Sequence, residues 1–362
     1  MSYPQPKPGV LKIGRYVQGQ SEIAGIENPI KLSSNESSAG PSPAAVEAYQ
    51  RAGQQLNRYP DGAQTRLRRA IADVYNLDVE RIICGNGSDE LLALFIRAYA
   101  GEGDQVLLSE NGFVMCRIHA TGQGSEVVIA PERNYLIDVD ALLDRVTDKT
   151  RVVIIASPNN PTGTYLPSDE LKRLHEGLPK DVLFIIDGAY AEYVMRDDYE
   201  DGLALVDKFE NIVVTRTFSK IYGLPSLRIG WAYCPEKVVD AVQRIRTPFN
   251  TNGPALAAAA AAVKDTVYTK QLCEQNAHWL ERIASCLSEL GLFVVPSVTN
   301  FYLIRFPGSQ NKTAQGAAAY LQSQGIIPRP VGGEGDNHLR ITVGLDHENE
   351  AVLQALTEYM QS

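Results

Sequence analysis

Short apolar runs bounded by turn residues punctuate the middle of this 362-residue chain. Gln105–Leu108, Arg151–Ala156, Val182–Ile186 and Asn211–Thr215 are rich in β-branched residues and do not alternate apolar with polar. That is the pattern of strands buried on both faces. Helix-period segments lie between them. Ser88–Ala100 opens with Ser-Asp-Glu, carries apolar residues at 91, 92, 94, 95 and 98, and stops at Gly101. Ser168–Leu178 begins with a serine followed by Asp-Glu, a helix-start signature. Strands alternating with helices predict an α/β fold whose large domain holds a mostly parallel sheet sandwiched by helices.

The pattern changes after about residue 250. Ala255–Ala262 leads into a single long helical stretch reaching about Leu290, its alanine run explained by helix propensity. Then follow apolar runs at Phe293–Val295 and Phe301–Phe306, a helix over Thr313–Gln324, runs at Ile326–Pro330 and Leu339–Val343, and a closing helix from His347. This order predicts a smaller α+β domain.

Composition narrows the function classes. Hydrophobic residues at 44% and charged residues at 21% describe a globular chain, which excludes wholesale disorder. With 34 basic against 43 acidic residues the formal charge is −9, which argues against a nucleic-acid partner but leaves room for a local basic pocket. Five cysteines form no CxxC and five histidines no HExxH, so neither a disulfide framework nor a metal site is expected, and a reducing, cytoplasmic setting is. Met1–Gly9 is proline-rich and polar, and no apolar stretch approaches the ~20 residues of a membrane span.

Candidate chemistry sits at the ends of the apolar runs, where ligands bind in open α/β sheets. Gly85-Asn-Gly87-Ser88-Asp89 follows Ile82–Cys84 and opens a helix, offering backbone N–H groups and a helix N-terminus to a phosphate. Ser157-Pro-Asn-Asn160-Pro-Thr-Gly163 follows the second run. Asp187 closes the third, with Tyr190 three residues on. Thr217-Phe-Ser219-Lys220 follows the fourth, and Arg228 lies eight residues beyond the lysine. The hydroxyls of Thr217 and Ser219 with the Arg228 guanidinium can complete a phosphate cup. Lys220 beside it is a candidate Schiff-base amine. Asp187 could keep a pyridinium nitrogen protonated, so that an aromatic ring acts as an electron sink. Each feature alone is commonplace. Their joint spacing is not.

These stretches, together with Lys31–Glu36, Gly40–Pro43, Arg58-Tyr59-Pro60-Asp61, Pro248-Phe-Asn250 and Leu339-Arg340-Ile-Thr342, cover nearly the whole chain in order. They resemble the fold-type I pyridoxal-phosphate aminotransferases, in particular their histidinol-phosphate branch. The resemblance implies an N-terminal arm over 1–30, a large pyridoxal 5'-phosphate domain over 31–262 and a small domain over 263–362. It makes Lys220 the Schiff-base lysine and proton carrier, Asp187 the partner of the pyridine nitrogen, and Asn160 and Tyr190 the donors to the phenolic oxygen. Ser88 and Asp89 take the phosphate on their backbone N–H groups, with Thr217, Ser219 and Arg228. Phe113 stacks on the ring.

The resemblance also implies a homodimer in which Tyr59 reaches the neighbouring subunit's cofactor phosphate. Arg340 would grip the substrate's carboxylate or phosphate, with Arg329 assisting, while Tyr16 and Asn35 border the substrate. The expected reaction is histidinol phosphate with 2-oxoglutarate. An aromatic amino-acid aminotransferase and a phosphothreonine decarboxylase are rival activities on this scaffold; a binding protein without catalysis is opposed by the complete set of chemical residues. Four positions depart from the branch pattern: Ser37-Ser38 replaces Asn-Pro, Cys116 replaces a frequent tyrosine, and Gly188 replaces a glutamate.

Overall fold

A computed structural model describes residues 4–308, 312–332 and 337–362. Its large sheet has seven strands, β1 (Ile82–Gly85), β2 (Gln105–Ser109), β3 (Glu126–Ala130), β4 (Thr150–Ala156), β5 (Leu183–Asp187), β6 (Ile212–Thr217) and β7 (Gly230–Tyr233). They lie in the order β1-β7-β6-β5-β4-β2-β3. Only β7 runs antiparallel to its neighbours.

The two-sided burial of the central strands explains their unbroken hydrophobicity. Val153, Ile155, Phe184, Ile186 and Val214 enter one core, whereas Val152, Ile154, Leu183, Ile185 and Val213 enter the core on the opposite face. Successive side chains point to opposite sides of a strand, so both parities must be apolar. β7 has no counterpart among the predicted strands, because Gly-Trp-Ala-Tyr is too short to carry a period of its own.

The smaller sheet is antiparallel, with β8 (Phe293–Val295), β9 (Phe301–Arg305), β10 (Arg329–Val331) and β11 (His338–Thr342) in the order β8-β9-β11-β10. Tyr302, Ile304, Leu339 and Ile341 pack there with Val352 and Leu356 of the closing helix Asp346–Gln361. The helix Thr266–Glu289 serves both cores: Leu272 and Cys273 join the large one, Trp279, Ile283 and Leu287 the small one.

Two expected elements are divided. The helical stretch from 255 to 290 is two helices, Gly253–Ala262 and Thr266–Glu289, because the Asp265 carboxylate accepts the Tyr268 N–H at 3.2 Å and starts a new helix. The run Ile326–Pro330 is two strands. Ile326–Ile327 pairs in parallel with Ile30–Lys31, and after Pro328, which has no N–H to give, Arg329–Val331 joins the small sheet as an edge strand. Residues beside the N-terminal arm are thereby stitched to the small domain.

Candidate active site

A cavity of about 160 Å³ opens at the C-terminal ends of β4, β5 and β6. Ten residues singled out in the sequence line it together: Ser88, Asp89, Phe113, Asn160, Asp187, Tyr190, Thr217, Ser219, Lys220 and Arg228.

Asp187 is the last residue of β5, in register with Ala156 on one side and Thr215 on the other. It is 5% exposed. The Thr215 hydroxyl donates to its Oδ1 at 2.8 Å. Burial pushes its carboxyl up to about 6, aided by the nearby Asp89 charge and opposed by the Thr215 hydrogen bond, Arg216 and Lys220. Lys220 follows β6 and turns back over the cavity, its Nζ donating to the Ser34 carbonyl at 3.3 Å and standing 5.4 Å from the Tyr190 ring centre.

An anion seat lies beside them. The helix Ser88–Tyr99 begins at Gly87, whose φ is +85° and which leaves the first turn without a side-chain cap. Such a terminus presents free N–H groups and a partial positive charge. The Arg228 guanidinium donates to the Ser219 hydroxyl at 3.3 Å. A Cβ at Gly87 would come within 2.7 Å of Arg228 Nη2, and one at Gly230 within 2.3 Å of the Ser88 nitrogen. Both glycines therefore keep this seat open.

Arg340, in β11, comes from the small domain to the edge of the cavity. Its Nη1 donates to Asn160 Oδ1 at 2.6 Å and its Nη2 to the Ser33 carbonyl at 2.8 Å. Its Nε is sealed from solvent without a hydrogen-bond partner, and no carboxylate pairs with it among the described residues. Burial lowers its pKa, with the neighbouring Arg329 acting in the same direction. Asn35, fully buried, donates from Nδ2 to the Tyr190 hydroxyl at 2.9 Å, so it reaches the cavity through Tyr190 rather than lining it.

These bonds decide which groups stay available. The Asn160 amide oxygen is taken by Arg340, which leaves its Nδ2 to donate. The Tyr190 oxygen accepts from Asn35, which frees its own proton. Two donors thus face the cavity near Asp187 and Lys220.

Five sequence candidates lie outside the lining: Arg340 and Asn35, which touch it through Asn160 and Tyr190, and Tyr59, Tyr16 and Arg329. Tyr59 is 84% exposed and stacks on Phe249 with ring centres 4.8 Å apart, in a separate open groove with Asn86. Tyr16 is 55% exposed, in a groove shared with Arg117 and Arg329. Arg329 donates to the Val17 carbonyl at 3.2 Å, tying the arm to the small sheet. Sequence reasoning missed Thr215, the Ser34 carbonyl, and a His119–Asp89 contact of 3.0 Å at the seat. Only the register of β5 with β6 reveals Thr215.

The donor set suits pyridoxal 5'-phosphate: an uncapped helix end with hydroxyls and a guanidinium for the phosphate, two donors for a phenolic oxygen, a buried carboxylate for a ring nitrogen and an amine for an aldehyde.

Comparison with known proteins agrees. The family profile "Aminotransferase class I and II" matches residues 27–356. The chain is 50% identical over 361 residues to the histidinol-phosphate aminotransferase of Paramagnetospirillum magneticum, covering 99% of each. It is 48% identical to that of Rhodospirillum centenum, covering 100% of each. Among solved structures, the histidinol-phosphate aminotransferase of Sinorhizobium meliloti in complex with pyridoxal-5'-phosphate matches with a TM-score of 0.88 and 29% identity, over 99% of this chain and 98% of that one. The chain therefore belongs to the class I and II aminotransferases, in their histidinol-phosphate aminotransferase branch, and its cofactor is pyridoxal 5'-phosphate.

Proposed function

We propose that this chain transfers the amino group of histidinol phosphate to 2-oxoglutarate, giving imidazole-acetol phosphate and glutamate in histidine biosynthesis. One observation carries the substrate side: Arg340 is held over the cavity by Asn160 and the Ser33 carbonyl, with its Nε unpaired. A planar fork without an acidic partner suits a phosphate or a carboxylate. The same arginine can serve both half-reactions, taking the donor's phosphate and then the acceptor's carboxylate.

Bound in the cavity, pyridoxal 5'-phosphate supplies an aldehyde that condenses with amines and a ring that accepts the electron pair left when a Cα proton departs. The surrounding residues set the conditions for that chemistry. The Asp187 carboxylate would accept a hydrogen bond from the ring nitrogen and keep that nitrogen protonated. Asn160 Nδ2 and the Tyr190 hydroxyl would donate to the phenolic oxygen, and Phe113 would stack on the ring. Ser88 and Asp89 N–H groups, Thr217, Ser219 and Arg228 would hold the phosphate. The free amine of Lys220 would take and return the proton at the substrate's Cα.

Tyr59, exposed in a groove outside its own cavity, fits a role in the neighbouring subunit's phosphate site, which makes the working unit a homodimer. Tyr16 and Arg329 lie where the arm meets the small sheet and would border the substrate, with Asn35 positioning Tyr190. Five free thiols fit a reducing cytoplasm.

Spectral titration of the purified holoenzyme tests the assignment. Histidinol phosphate should convert the cofactor's absorbance at lower concentration than the rival donor phenylalanine, and 2-oxoglutarate should reverse the change. Conversion by phenylalanine at the lower concentration, or carbon dioxide release from phosphothreonine without a keto acid, would refute it.

A further inference from the structure

Beneath Asp187, on the face of the sheet away from the cavity, lies a buried charged cluster that the transamination chemistry does not use. Its centre is Arg216, 1% exposed, in β6 between Thr215, which donates to Asp187, and Thr217, which lines the cavity. Strand alternation sends the Arg216 side chain to the opposite face from its two threonine neighbours. There Nη1 donates to the Gly188 carbonyl at 3.0 Å and Nη2 to Asp201 at 2.7 Å, while Nε stands 3.8 Å from Glu192. The Tyr75 hydroxyl donates to the same Glu192 carboxylate at 3.2 Å.

Gly188 explains why this arrangement is possible. Its backbone does not lie in the positive-φ region, so glycine is not required there by conformation. A Cβ at 188 would nevertheless fall 2.0 Å from Arg216 Nη1 and 3.0 Å from Cζ. The guanidinium occupies the space that a side chain after Asp187 would fill in this conformation.

We propose that Arg216, seated in the space vacated at Gly188, is a positioning residue for the cofactor: it clamps the Asp187–Tyr190 turn through the Gly188 carbonyl and sets a fixed positive charge beneath Asp187. This rests on the assignment of Asp187 to the ring nitrogen. A core ion pair serving stability alone is poorly served by this geometry, since buried pairs are seldom better than apolar packing and Nε here lacks a hydrogen bond. Thr215, Lys220, Asp89 and Cys116 surround Asp187 on its own face, and Arg216, paired with Asp201 and Glu192, acts from beneath; Thr215, Lys220 and Arg216 favour its carboxylate form, and Asp89 opposes it. Removing the Arg216 charge therefore leaves Asp187 protonated to higher pH.

The test uses full-length protein stripped of cofactor and titrated with pyridoxal 5'-phosphate across pH, followed by fluorescence quenching, with far-UV circular dichroism as the fold control. Arg216→Met should bind the cofactor about ten- to a hundredfold more weakly at neutral pH, the loss of charge-assisted hydrogen bonds. The acid fall-off of binding should move to higher pH. Arg216→Lys should weaken binding but leave the fall-off where it is, because the charge remains. Gly188→Ala, which displaces the guanidinium without deleting it, should weaken binding too, and it decides the matter if Arg216→Met does not fold. Folded Met and Ala variants with wild-type affinity and an unshifted fall-off would overturn the proposal. Wild-type protein that takes up no cofactor would instead sink the function assigned above, and this inference with it.

Discussion

The two sides of the cavity are built differently. The side we assign to the cofactor rises from the ends of β5 and β6, where Asp187 and Thr217 are buried and paired with neighbouring strands and Tyr190 is buried just beyond β5. The side we assign to the substrate is assembled from distant chain: Arg340 from the small sheet, Arg329 beside it, and Tyr16 in an N-terminal segment that Arg329 ties down by one backbone hydrogen bond. Rigid strand ends suit groups that must meet a fixed cofactor atom for atom. An exposed arm suits a surface that must admit one substrate, release its product and accept another.

If this contrast is sound, the largest effect comes from the cofactor side. Lys220→Ala should lower transamination by at least ~10²–10⁴-fold, the usual share of a positioned proton carrier, with the thermal midpoint little changed. Steady-state assay beside calorimetry separates the two.

Next is the pH response of Asp187. A carboxyl held at about 6 when folded binds its proton more tightly than in the unfolded chain, where it titrates near 3.8. Stability of the cofactor-free protein therefore falls as pH rises between those values and levels off above, by roughly 3 kcal/mol for a shift of this size. Asp187→Asn should abolish that slope in urea unfolding series; an unchanged slope would show that the buried carboxyl is not its source.

Arg340→Ala should leave the cofactor's absorbance in place while raising the KM for histidinol phosphate by about ten- to a hundredfold. A change confined to kcat would move Arg340 from the substrate side to the chemistry. Tyr59→Phe is the mildest: loss of one neutral hydrogen bond should weaken cofactor retention by about two- to tenfold. Equilibrium dialysis of dimer and diluted protein would reveal whether the hydroxyl acts across subunits.

Much of the cofactor side was legible in sequence because its motifs are local. Ser88-Asp89, Thr217-Phe-Ser219-Lys220 and Asp187-Gly-Ala-Tyr190 each bring their groups within one turn of chain, directly after a strand. Such a segment can place its side chains with little help from the rest of the molecule. The split of 255–290 was not legible, because an alanine-rich run and the helix after it share one period and only the cap at Asp265 divides them. Nor was the tie between Gly188 and Arg216, because the two stand 28 residues apart and meet only through the pairing of β5 with β6.

Hydrophobic patterning alone required a sheet buried on both faces, since consecutive β-branched residues can be hidden only between two layers. It also required the reactive groups to gather at the strand ends, because the strand interiors had no room for polar atoms. Folding decided which atoms of those groups remained free. Asn160 donates because its oxygen is claimed by Arg340, 180 residues along the chain, and Tyr190 donates because its oxygen accepts from Asn35, 155 residues back. A hydrogen bond settles the direction of a polar group only once both partners stand within about 3 Å, and no local pattern brings segments so far apart together.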